Sequence, residues 1–136
     1  MPSIFSKIIA REIPSFRVAE NEEFIAFLDI QPLAPGHTLV VPKMEVDYIF
    51  DLPHEVYERY WIFARKVASA IESVETCKRI GIAVIGLEVP HAHIHLVPIN
   101  YVGDINFSKP KMEIPSEEQQ QRAERIRAVF EKLPVS

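Results

Sequence analysis

The chain has 136 residues, 48 % of them hydrophobic, one cysteine and a formal net charge of −4. That length suits one domain with an ordinary core, and the acidic balance argues against a nucleic-acid polymer or an anionic membrane as partner. The lone Cys77 excludes an intrachain disulfide framework, and neither a bilayer-length apolar run nor a basic-then-apolar leader is present, so a cytoplasmic location is expected.

In chain order, Ser3 is a helix cap and Pro14 a stop, which predicts a short helix over residues 3–10. Strands are predicted at 16–20 and 24–29, joined at Asn21-Glu22. Pro32, Pro35 and Gly36 break the chain before a third strand at 37–42. A long helix is predicted over 53–74, with Asp51 as N-cap and Pro53 in the first turn. Val56, Tyr60, Phe63, Val67, Ile71 and Val74 recur at three- and four-residue steps, so this helix lays one stripe on a sheet; Trp61 fits its buried side as core or interface. Two further strands fall at 79–85 and 91–98. Residues 101–115 read as loop, and Ser116-Glu117-Glu118-Gln119 has the form of a capping box opening a helix to about 132. Ala123, Ile126, Phe130 and Leu133 form a modest stripe that favours docking over a free tail. The fold class is α+β: an antiparallel five-stranded sheet with one long helix and short terminal helices. A single domain is expected over 1–136, with residues from about 100 as a C-terminal extension.

The segment His91-Ala92-His93-Ile94-His95-Leu96-Val97 carries the chemistry. On an extended strand, residues i, i+2 and i+4 share a face, which would space three imidazoles roughly 6 to 7 Å apart and turn Ala92, Ile94 and Leu96 to the core. A neutral imidazole is a nucleophile, a base or a metal ligand. Two readings follow: the middle ring attacks phosphorus while its neighbours hold the oxygens, or the rings bind a divalent metal such as zinc. A purely structural cluster is the bland alternative, disfavoured because three rings on one face repel when protonated.

With apolar residues alternating between the imidazoles, the motif resembles the signature of the histidine triad (HIT) superfamily of nucleotide hydrolases and transferases. The resemblance extends to Ile4-Phe5-Ser6-Lys7-Ile8-Ile9 with Glu12-Ile13-Pro14. It extends also to Ala26-Phe27-Leu28-Asp29-Ile30 with Pro32, and to Ala34-Pro35-Gly36-His37 through Leu39-Val40-Val41-Pro42-Lys43. The branch it is most similar to contains purine nucleoside phosphoramidases. The resemblance implies a HIT-like fold and a covalent nucleotidyl intermediate on His93. It also implies a phosphate contact from His95, orientation of the nucleophile by His91, and a further phosphate-side histidine at His37. Asp29 would accept both ribose hydroxyls, while Ile4, Phe5, Ile8, Phe27 and Ile30 would wall a purine; without the resemblance those apolar residues would be assigned to the core.

Two departures stand out. Leu87 and Glu88 follow Gly86 where the family commonly has a glutamine or a small hydroxyl residue, which puts leaving-group preference in question; Glu88 is a candidate for acting on an amine leaving group. Some bacterial relatives hold a structural zinc with a Cys-x-x-Cys near the N-terminus and a histidine after the Pro-Lys pair; here Ser3, Ser6 and Met44-Glu45 stand at those places, so no metal and no cofactor are expected. The reaction implied is hydrolysis of a P–N or P–O bond at the α-phosphate of a purine nucleoside 5′-phosphoramidate or related conjugate, by a homodimer. A dinucleoside polyphosphate hydrolase, or a nucleotide-binding regulator with little turnover, are the alternatives.

Overall fold

The computed structural model describes residues 2–134. The predicted 1–136 domain thus includes three positions, Met1, Val135 and Ser136, that lie outside the described residues. Strands β1 (Arg17–Glu20), β2 (Phe24–Leu28), β3 (Thr38–Pro42), β4 (Arg79–Ala83) and β5 (Ile94–Ile99) form one antiparallel sheet in the order β1-β2-β3-β5-β4. Helices are α1 (Ile4–Ile9), α2 (His54–Val74) and α3 (Ser116–Lys132). Among the described residues, no helix is long and apolar enough to cross a membrane.

The strands are apolar on both faces because both faces are covered. Alternation sends Phe24, Ala26, Leu28, Val40, Ile94 and Leu96 to one side, where they pack with Tyr60, Phe63, Val67 and Ile71 of α2 and with Ala123, Ile126 and Phe130 of α3. The helix stripes read from the sequence are therefore the buried ones, and α3 docks against α2 and β1, with the Phe63 and Phe130 rings 5.6 Å apart. Each fully buried side chain of this kind contributes roughly 1.5–3 kcal/mol, so Ile126→Asp alone would undock α3. The opposite face carries Ile25, Phe27, Leu39 and Val41, covered by Phe5 of α1. It is this second face, thinly covered, that holds the histidines.

Three local expectations are corrected. Asp51 is not the cap of α2: its amide closes a 3-10 turn on Tyr48 (2.9 Å), and the helix starts at His54 behind Pro53 without a side-chain cap. Ser116 is likewise the first helical residue of α3 and makes no capping bond; Pro115, with φ −54°, takes the cap position and its carbonyl accepts from Gln119 (3.0 Å). The pairing of β5 begins at Ile94 rather than at residue 91. The Ala92 amide donates instead to Val46 (2.7 Å), which lifts the start of the histidine segment off the β3 ladder.

Candidate active site

The turn before β3 sets the first histidine in place. Gly36 has φ +92°, a conformation that favours glycine, and a Cβ there would lie 2.7 Å from Glu75 Cγ. The chain then enters β3, and the Asp29 amide donates to the His37 carbonyl (2.9 Å), extending the β2–β3 ladder by one step. Asp29 and His37 thus face each other on the α1 side of the sheet. His95 joins them from β5, where it pairs with Leu39.

Main-chain partners fix which nitrogens carry protons. The Leu33 amide donates to His37 Nδ1 (3.0 Å), so the proton of a neutral His37 is on Nε2. That N–H donates to His95 Nδ1 (3.0 Å), which leaves His95 Nε2 protonated and able to donate to an anion. His93 Nδ1 donates to the carbonyl of His91 (2.8 Å), so its lone pair is on Nε2. His91 Nε2 donates to the Pro42 carbonyl (2.7 Å), and its Nδ1 accepts from the Ser3 hydroxyl (2.7 Å). The expected even spacing of rings along one strand face does not occur, because β5 starts late: the His93 and His95 rings are 5.0 Å apart, and His91 turns into a buried bonding role.

Ser3, missed as a site residue, links α1 to this network. Its oxygen accepts from the Ser6 amide (3.0 Å) as helix cap, and its own amide donates to Glu45 Oε1 (2.7 Å), which holds the Glu45 carboxyl below its usual range. Ser3, Ser6 and Glu45 therefore gather around His91. They fit zinc poorly: no thiolate is present, and the one imidazole already spends its N–H on Pro42 and its lone pair on Ser3.

Burial keeps His37, His91 and His95 neutral. Desolvation, reinforced by the His95 and Lys111 charges, lowers His37 to about 3; desolvation with His93 and Lys111 lowers His95 to about 4; desolvation also lowers His91. Asp29 is raised by desolvation, opposed by the Gln31 amide, His93 and Lys111. The 3.6 Å approach of His37 Nε2 to Asp29 Oδ2 is accordingly a contact with a neutral ring, not an ion pair. Asp29, His37 and His95 are close enough to hold a cation. Their bonding argues otherwise, since the His37 lone pair takes the Leu33 amide and the His95 Nδ1 lone pair takes the His37 proton.

Of the apolar residues assigned to a base slot, Phe5 and Phe27 are buried with rings 5.7 Å apart, and Phe5 stands edge-on to His93 at 4.9 Å. Ile8 packs beside them, whereas Ile4 and Ile30 are exposed at the rim. A cavity of about 340 Å³ opens beside His93, bordered by Tyr48, Phe50, Trp61, Ile85 and Leu87. Glu88 is exposed and outside that border. Sequence reasoning also missed Phe107, whose ring lies 4.7 Å from His95, and Lys111; both sit in a stretch with no periodicity to flag them.

Three wired imidazoles at the end of an antiparallel sheet, with a fourth behind and a carboxylate beside them, define a histidine-triad protein. Residues 10–101 match the HIT domain family, and the chain belongs to it. It is 39 % identical over 97 residues to adenosine 5′-monophosphoramidase HNT1 of Saccharomyces cerevisiae, covering 70 % of this chain and 61 % of that protein. The fold is similar to a HIT-like protein of Bartonella henselae involved in cell-cycle regulation (TM-score 0.81, 32 % identity, 93 % and 95 % of the chains). It is also similar to a zinc-bound histidine triad family protein of Mycobacterium smegmatis (TM-score 0.80, 26 % identity, 95 % and 93 % of the chains).

Proposed function

We propose that the protein hydrolyses purine nucleoside 5′-phosphoramidates or related nucleotide conjugates at the α-phosphate through a nucleotidyl-His93 intermediate. The observation that carries this reading is the His93 Nδ1–His91 carbonyl bond, which leaves an unprotonated Nε2 among neutral rings. In the first step Nε2 bonds to phosphorus while the P–N bond to the amine breaks, and the amine leaves with a proton drawn from solvent. Water then attacks the same phosphorus and gives one proton back to solvent, the P–Nε2 bond breaks, and the nucleoside monophosphate departs with the neutral ring restored. His95 Nε2–H donates to a phosphoryl oxygen, more strongly as charge builds there. Asp29 accepts the ribose hydroxyls, and Phe5 and Phe27 flank the base. The similarity to a yeast monophosphoramidase supports this choice of substrate.

The test is mass spectrometry of the protein mixed briefly with adenosine 5′-phosphoramidate and kept from acid, beside His93→Ala. A wild-type AMP adduct that is absent in the variant, with AMP release, is the expected result. Tight binding with neither adduct nor AMP would instead make the protein a nucleotide-binding regulator.

We infer also that two copies pair through β4 and α2. β4 is an edge strand, and Ile82 on it, Val84 and Ile85 just after it and Ile62 on α2 are all exposed. Sedimentation should give twice the chain mass, and Ile82→Glu should return it to one.

A further inference from the structure

We propose that Lys111 anchors the α-phosphate of the bound nucleotide, a role that rests on the hydrolase reading above and names the cation that reading lacks. His37 and His95 are neutral, so hydrogen bonds alone from those rings leave the negative charge of a phosphate uncompensated. The segment after β5 supplies what is missing by folding back over the site. Asp104 Oδ2 accepts from the Asn100 and Tyr101 amides (2.7 and 2.8 Å), Asn106 Oδ1 accepts from Ser108 (2.9 Å), and the Met112 amide donates to Pro32 (3.0 Å). This ties residues 100–112 to the loop that precedes His37.

Two side chains of the segment reach the site. The Phe107 ring lies 4.7 Å from His95 and 6.3 Å from His37. Lys111 Nζ donates to the Phe107 carbonyl (2.8 Å) and sits 5.4 Å from that ring, so the ammonium is held at the edge of the histidine cluster. One of its three protons is used there, and two are free for a ligand. Because the Phe107 ring that it borders lies against both His95 and His37, the ammonium sits beside the rings offered to phosphate. Lys43, by contrast, is already paired with Glu20 (2.8 Å). A point charge on a flexible stem suits a phosphate whose geometry changes during attack.

The experiment is calorimetric titration of wild type, Lys111→Met, Lys111→Arg and Lys109→Met with AMP and with adenosine. Lys109 lies on the same segment and is exposed, so it controls for net charge. Lys111→Met should weaken AMP binding about tenfold and adenosine binding less than about twofold, while Lys111→Arg stays within about threefold of wild type and Lys109→Met is unchanged. Equal loss of both ligands in Lys111→Met would make the residue a brace for the loop and overturn the proposal. Wild-type AMP affinity in that variant would overturn it while leaving the hydrolase reading intact. A wild-type protein that binds no AMP would overturn both.

Discussion

The hydroxyl of Ser3 donates to Nδ1 of His91 across 88 residues of chain, at 2.7 Å. The same oxygen caps α1, and the main-chain carbonyl of His91 accepts from His93 Nδ1. The first helix, Phe5 and His93 are therefore one mechanical unit.

Ser3→Ala removes the cap and leaves a buried imidazole nitrogen without its donor. It should cost about 1–3 kcal/mol of stability and lower kcat/KM by loosening Phe5 against His93. Ser6→Ala, whose hydroxyl is 3.5 Å from His91, should cost distinctly less. Thermal melts and initial rates of both variants check this, and a Ser3→Ala effect no larger than that of Ser6→Ala would show that the Ser3 hydroxyl holds neither the helix start nor His91.

His37→Leu should lower kcat about 10- to 100-fold with a smaller change in KM. Without the proton on His37 Nε2, nothing obliges His95 to carry its own proton on Nε2 and present it to the phosphate. Steady-state kinetics decide the matter: a change confined to KM would make His37 a binding group rather than one that orients His95.

Stability should fall with acid. His37 and His95 titrate near 3 and 4 when folded, and His91 is also lowered, against an ordinary value near 6.5. Between these values the unfolded chain binds protons that the folded chain does not. Their contribution is thus complete above about pH 6.5 and is lost as pH falls toward 4. The raised Asp29 works in the opposite sense. Melting temperature should drop by roughly 5 °C or more between pH 7 and pH 5, with a shallower slope in His37→Gln. A flat profile would mean that these rings charge freely in the folded protein.

Asp29→Asn should weaken nucleotide binding about tenfold. More tellingly, it should erase any preference for ribo- over 2′-deoxynucleotides, because the two-hydroxyl contact needs an acceptor on both oxygens. Paired titrations with AMP and dAMP measure this; a preference that survives the substitution places ribose recognition elsewhere.

Much of the fold was legible because both helix stripes obey a simple period, the strands are short runs bounded by turn residues, and Ala92, Ile94 and Leu96 are buried as expected. The helix starts were misread where a proline took the cap that a nearby Asp51 or Ser116 resembled. The late start of β5 depends on Val46, 46 residues before Ala92, which no local pattern encodes. Ser3, Phe107 and Lys111 escaped notice for a related reason: each reaches the histidines through tertiary contact, from segments that look like an ordinary cap and an ordinary loop.

His37, His91 and His93 are each tied to the main chain, through the Leu33 amide, the Pro42 carbonyl and the His91 carbonyl. Peptide groups neither titrate nor change when a side chain is replaced. Substitutions around the pocket, other than at His37 whose side chain sets His95, can therefore alter its shape and charge without scrambling which nitrogens hold protons. The walls of the pocket are thus free to be rebuilt while the donors and lone pairs on His91 and His93 stay as they are.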